Sequence, residues 1–179
     1  MAPPPETAPT PPAPPLPPVT AIGDGWVLRP VDEPLGARRS AANGYTASPG
    51  DGAGPEEFLV RVQHVRHHPL RACYPYGAHD LVVRLDERGD RAGRGPLHGS
   101  ESASALLRAL VPALFAADAR CRRVVAAPDE HDLEAQRVLA AGGLRRITEA
   151  DLPDGSVVLF AVEPPDIAEL STALDDMPH

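Results

Sequence analysis

Lysine is absent from this 179-residue chain: all 17 basic residues are Arg, set against 25 Asp and Glu, for a formal net charge of −8. An acidic chain without Lys lacks the basic surface that phosphate backbones and anionic bilayers attract, which argues against nucleic-acid and membrane binding. Cysteine is nearly absent too. Cys73 and Cys121 are too few for a disulfide framework or a zinc site, and both neighbour apolar residues, as reduced buried thiols do. Aromatic residues amount to 4%, so the core has to be built from Leu, Val and Ala. No run approaches the ~20 apolar residues of a membrane span, and the N-terminus has no basic-then-apolar secretion pattern. These absences point to a cytoplasmic protein. What is present, 42% hydrophobic content, is enough for one domain with a core.

Proline is plentiful and unevenly spread. MAPPPETAPTPPAPPLPPVT holds ten prolines in twenty residues. Because proline fixes φ and removes a backbone donor, residues 1–23 are expected to form a disordered, polyproline-II-like tail. Its PxxP spacings fit an aromatic groove, but a solvated spacer is the preferred reading. The folded domain is expected over residues 24–165, with an acidic, peripheral segment at 166–179.

Within the domain, GWVLRPVD (25–32) reads as a first strand, and residues 33–55 carry little periodic signal. EEFLVRVQHVRHH (56–68) is read as a helix with Phe58, Leu59, Val62 and Val65 on one face. Its His64, His67 and His68 would share a helical face at metal-ligand spacing, but nothing pairs with them, so a solvated helix end is preferred. RACYPY and DLVVRL (80–85) read as strands. DERGDRAGRGPLHGSES (86–102) is polar and glycine-rich, hence a loop.

From there the pattern sharpens. Leu106, Leu107, Leu110, Val111, Leu114 and Phe115 recur on one wide helical face, interrupted by Pro112, which should kink or divide the helix. CRRVVAA (121–127) is a strand. A helix follows, capped by Asp129 or Asp132, with Leu133, Gln136 or Arg137, and Leu139 with Ala140 inward, and Gly142-Gly143 as its left-handed stop. LRRITEA and SVVLFAVE then form a hairpin around Pro-Asp-Gly. Strand, helix, strand and hairpin return make an α/β fold, a mixed sheet flanked by helices.

Three stretches carry a family resemblance. GSESASALLRALVPALFA is similar to the phosphate-loop-to-helix motif of the GNAT acyltransferases, which use acyl-coenzyme A. RRVVAAPDEHDLEAQRVLAAGGL resembles their later strand and helix, and LPDGSVVLFAV their closing hairpin strand. The PD-x-x-D step and LLRALVPALFA are especially similar to the siderophore branch, the aerobactin- and mycobactin-type lysine acyltransferases. The resemblance implies acyl-coenzyme A (or an acyl carrier protein) as donor, a lysine-like primary amine as acceptor and no metal. It implies that Gly99, Ser100, Ser102, Ala103 and Ser104 bind the donor's pyrophosphate, since amides at a helix N-terminus attract anions. It also implies that His98 and Asp129 handle the acceptor's protons.

The loop departs from the family pattern. Glu101 falls where a first glycine is usual, setting a carboxylate beside the expected pyrophosphate. The branch's His falls at Arg94, and His98 replaces it only if the register shifts. An alternative reading follows: a catalytically degenerate GNAT-fold module that binds or interacts without chemistry.

Overall fold

Period-two alternation governs the first half of the molecule. The computed structural model describes residues 20–31, 42–50, 57–88 and 101–165. FLVRVQH forms strand β4 (Phe58–His64), with Phe58, Val60, Val62 and His64 buried and the residues between them only partly so. The helix expected over 56–68 is therefore not formed. Phe58 and Val62 satisfy a helical spacing, but β-branched Val60 and Val62 on one pleated face favour a strand.

Before it come β1 (Thr20–Ile22), β2 (Trp26–Pro30) and β3 (Ala42–Pro49). β2 is the strand expected at 25–32, β3 lies where no periodicity was legible, and β1 falls within the segment expected as tail. After it, two 3-10 turns (Val65–His67 and Pro69–Ala72) stand where RACYPY suggested a strand. Pro69 opens the second turn, a position that needs no N–H donor. β5 (Leu81–Glu87) matches DLVVRL. The first nineteen residues, residues 89–100 and residues 166–179 lie outside the described residues.

The second half follows the expected order: α1 (Glu101–Ala117), β6 (Val124–Ala126), α2 (Leu133–Ala141), β7 (Arg145–Leu152) and β8 (Gly155–Val162). α1 runs through Pro112 undivided, with the proline exposed and Leu106, Leu107, Leu110 and Leu114 buried. α2 faces inward through Ala135, Val138 and Leu139, whereas Leu133, expected inside, is 58% exposed. The cap sets this phase: Asp132 Oδ1 accepts the Ala135 N–H at 3.0 Å.

The two glycines after α2 do different jobs. Gly143 takes φ 95°, letting Leu144 N–H reach Leu139 O and its own N–H reach Ala140 O, both at 3.1 Å. This is a Schellman stop, with Leu139 and Leu144 buried together. Gly142 keeps a helical φ of −77° but lies against α1, where a Cβ would come within 2.8 Å of Leu107 Cβ.

All eight described strands form one sheet, in the order β1-β2-β3-β4-β5-β6-β8-β7. β5 and β6 are parallel, and the other neighbours are antiparallel. The mixed α/β sheet is thus observed. Both described helices pack on one face, in a core that includes Val60, Val83, Leu85, Leu107, Val138 and Phe160. On the other face, Val65, Leu70 and Tyr74 from the turn segment cover Val82, Val125 and Leu159. Among the described residues, no helix is long and apolar enough to cross a membrane.

Candidate active site

The parallel ladder at the centre of the sheet is short. β5 pairs with β6 only at Leu81↔Val124 and Val82↔Val125, while β5 continues to Glu87 along β4. Beyond Val82 the two strands part. Leu81 N–H donates to Arg123 O at 3.1 Å, so alternation turns the backbone of Leu85 to the same edge, past the last paired residue. The gap opens into a cavity of about 400 Å³, a size suited to a small ligand. One wall is β5 with His68. The other is the end of β6, the start of α2 and the tip of the β7–β8 hairpin.

Asp129 lies on this cleft, just past β6. Its backbone bridges to Val157, and the turn is held by Glu130 N–H to Ser156 O (3.1 Å) and Val158 N–H to Pro128 O (2.9 Å). Gln136 Nε2 donates to Asp129 O (3.3 Å) and Glu130 O (2.9 Å). The carboxylate is exposed, and Oδ1 accepts the His131 N–H at 2.8 Å. These bonds hold the turn and place Asp129 on the cleft wall.

The other expected residues divide. His98, Gly99 and Ser100 lie outside the described residues. Ser102, Ala103 and Ser104 occupy the opening turn of α1. Ala103 is fully buried, and Ser104 Oγ donates to Val138 O at 3.2 Å, tying α1 to α2. Glu101 is the first residue of α1 and is exposed. A carboxylate there complements the helix dipole, which is a structural reason for it.

Residues that the sequence reading missed complete the wall on the side of β5. His68 sits between the two 3-10 turns, with its N–H bonded to Val65 O (2.9 Å) and its C=O accepting Arg71 N–H (3.1 Å). Its Nδ1 accepts the Leu70 N–H at 3.2 Å, which assigns the neutral ring's proton to Nε2. Burial lowers the His68 pKa, and the charge of Arg84 lowers it further, so the ring is neutral at neutral pH. Arg84 Nε donates to Asp86 Oδ1 (3.1 Å), and Arg61 Nη1 to Asp86 Oδ2 (3.3 Å). The signal for these residues was present: read as a strand, FLVRVQH ends at His64 and releases His68 from the metal-like trio. His64 is buried, its ring 6.5 Å from that of His67, while His68 lines the cleft. Among the described residues, no three His, Cys, Asp or Glu side chains converge as a metal site.

No family model matches the sequence. The lysine N-acyltransferase MbtK of Mycobacterium tuberculosis is 27% identical over 118 residues, covering 66% of this chain and 51% of that protein. MbtK of Mycolicibacterium paratuberculosis is 32% identical over 94 residues, covering 51% of this chain and 37% of that protein. The chain thus spans about half the length of these relatives, or less. Among solved structures, the aminoglycoside acetyltransferase AAC(6')-Ib, in complex with paromomycin and acetyl-coenzyme A, superposes with a TM-score of 0.55 at 16% identity, covering 75% of this chain and 71% of that one. An uncharacterised protein from Bacillus halodurans superposes with a TM-score of 0.56 at 20% identity, covering 68% and 58%. The fold is GNAT-like.

Proposed function

We propose that the chain is an N-acyltransferase of the GNAT type, moving an acyl group from acyl-coenzyme A to the primary amine of a small, lysine-like acceptor. The observation that carries this reading is the cleft opened where the β5–β6 ladder ends, with the Leu85 edge along one side and Asp129 across it. A pantetheine arm bears amides that suit an unpaired strand edge, and the N-terminus of α1 suits a pyrophosphate. Gly99, Ser100, Ser102, Ala103 and Ser104 are the proposed phosphate contacts. Ser104 is the least free of these, because its hydroxyl hydrogen is committed to Val138 O and its N–H, at the fourth position of α1, belongs to the helix ladder. An acyl carrier protein is the alternative donor.

Acyl transfer needs a neutral amine, and Asp129, with His98, is the proposed acceptor of its proton. The amine nitrogen then attacks the thioester carbonyl. The C–S bond breaks as the tetrahedral intermediate collapses, the thiolate leaves with the electron pair, and the extra proton on the nitrogen passes to it, giving the amide and a free thiol. Similarity to lysine N-acyltransferases supports an acceptor of the kind acylated in siderophore assembly.

Isothermal titration with coenzyme A and acetyl-coenzyme A, followed by thiol release in the presence of lysine, tests the reading. Saturable heat and lysine-dependent thiol release are expected. Asp129→Asn should lower kcat by ~10²–10⁴ with donor affinity unchanged, the usual range for losing an acid–base group. One observation favours a second reading, a degenerate GNAT-fold binding module: Glu101 opens α1, where the phosphates would sit. Glu101→Gln should tighten coenzyme A ~2–5-fold by removing a like charge at a helix terminus. Absence of heat with both donors would leave the module reading standing.

A further inference from the structure

The two walls of the cleft carry different charged groups. Along β5, Val83 and Leu85 enter the core beneath the helices, while Val82 faces the opposite layer. Alternation therefore sends Arg84 to the side away from both helices. His68 lies in the turn segment that covers this same side. Neither residue is placed to meet phosphates held at a helix N-terminus on the other face. Across the gap, the end of β6 and the hairpin tip contribute Asp129 and Asp154. One wall thus carries Asp129 and Asp154, and the other the Arg84 guanidinium and a neutral imidazole, with the Asp86 carboxylate there already engaged by both Arg84 and Arg61.

Arg84 spends only Nε on Asp86, whose second oxygen is engaged by Arg61. Its side chain is 66% exposed, and among the described residues both terminal nitrogens are left as donors. His68 has its backbone N–H, its C=O and Nδ1 all bonded within the turn segment, so the ring is held in place with Nε2–H as its remaining donor. With the proton on Nε2 and Nδ1 occupied, this ring is a donor and not a base.

We propose that Arg84 and His68 form a subsite for a carboxylate carried by the acceptor, while its ammonium end is drawn to the Asp129 and Asp154 wall. The two residues then set specificity: they select an acceptor that bears both charges over a plain amine of the same reach. This assignment rests on reading the cleft as an amine-acceptor site.

Lysine and cadaverine share the distal amine and differ in the carboxylate. Calorimetric titration of the full chain with each, with and without coenzyme A, separates them. Charged hydrogen bonds predict lysine binding ~10-fold or more tightly than cadaverine. Arg84→Gln and His68→Asn should each weaken lysine ~5–10-fold on the same grounds and leave cadaverine unchanged. Asn at 68 keeps an acceptor for the Leu70 N–H, so the turn survives while the Nε2 donor is lost; an unshifted melting temperature verifies this. Equal affinities for the two amines, or variants that weaken both alike, would overturn the subsite. So would coenzyme A binding with neither amine bound, which leaves the donor reading intact. Lysine selectivity that depends on Arg84 and His68 without coenzyme A binding keeps the subsite and removes the acyl-coenzyme A reading.

Discussion

Burying a neutral imidazole is cheap, and burying a charged one is not. His64 is 2% exposed at the end of β4, its Nδ1 enclosed without a hydrogen-bond partner among the described residues. Its ring lies edge-on to His79 at 6.2 Å, and His79 Nδ1 is 3.1 Å from Asp118 Oδ2. Burial is the main cause holding its pKa below the ordinary value; Arg66, His79 and His67 add to this and Asp118 opposes it. His68 shifts the same way for the same first reason. A histidine depressed in the folded state binds its proton more readily when unfolded, so folding is unpenalised above the ordinary pKa of about 6.5. Stability should fall as pH drops from there toward the folded values. Denaturant unfolding across pH 8 to 5 should show this loss, and His64→Leu should remove part of it. An unchanged slope in that variant would assign the acid sensitivity elsewhere.

Elements whose ends are set locally were legible in the sequence. α2 has Asp132 to start it and Gly143 to stop it, and the β7–β8 hairpin has Pro153-Asp154 at its turn. β3 and β4 were not. In ANGYTASP the alternating residues are mostly small, and only Tyr45 and Ala47 are buried, so neither period stands out. In FLVRVQH the apolar spacing fits helix and strand alike, and pairing with β3 and β5 decides it. The candidate site divides on the same line. Asp129 follows a recognisable strand end, whereas His68 and Arg84 meet only through long-range register. Pro112, expected to kink or divide α1, leaves it undivided, with Leu110 and Leu114 buried on either side. The missing N–H at position 112 still carries its cost. Pro112→Ala should therefore stabilise the fold by about 1–2 kcal/mol, less than the full helix-interior penalty because proline also stiffens the unfolded chain. Urea unfolding gives the value, and a destabilised variant would mean that the ring packs where it now stands exposed.

At the scale of the whole molecule, the sheet is two antiparallel blocks, β1–β5 and β6–β8, joined by a two-residue parallel seam. The seam is backed on one face by Ser104 Oγ to Val138 O (3.2 Å), Arg108 Nη1 to Ala141 O (2.9 Å) and Leu107 against Gly142. On the other face, Arg123 reaches Tyr74 OH at 3.4 Å and Glu163 at 2.8 Å. Glu163 and Tyr74 raise the Arg123 pKa, while burial raises that of Tyr74. The cleft begins where this backing ends, so a ligand spanning it would extend the seam and clamp the blocks together. Amide exchange can tell such a clamp from general stabilisation. Alternation turns the Leu85 N–H to the cleft and the Arg84 N–H to β4. Coenzyme A at saturation should slow Leu85 exchange far more than Arg84 exchange. Global linkage would instead raise protection evenly along β5. Residue-resolved exchange by NMR reads the difference, and an even rise would place the donor outside the gap between β5 and β6.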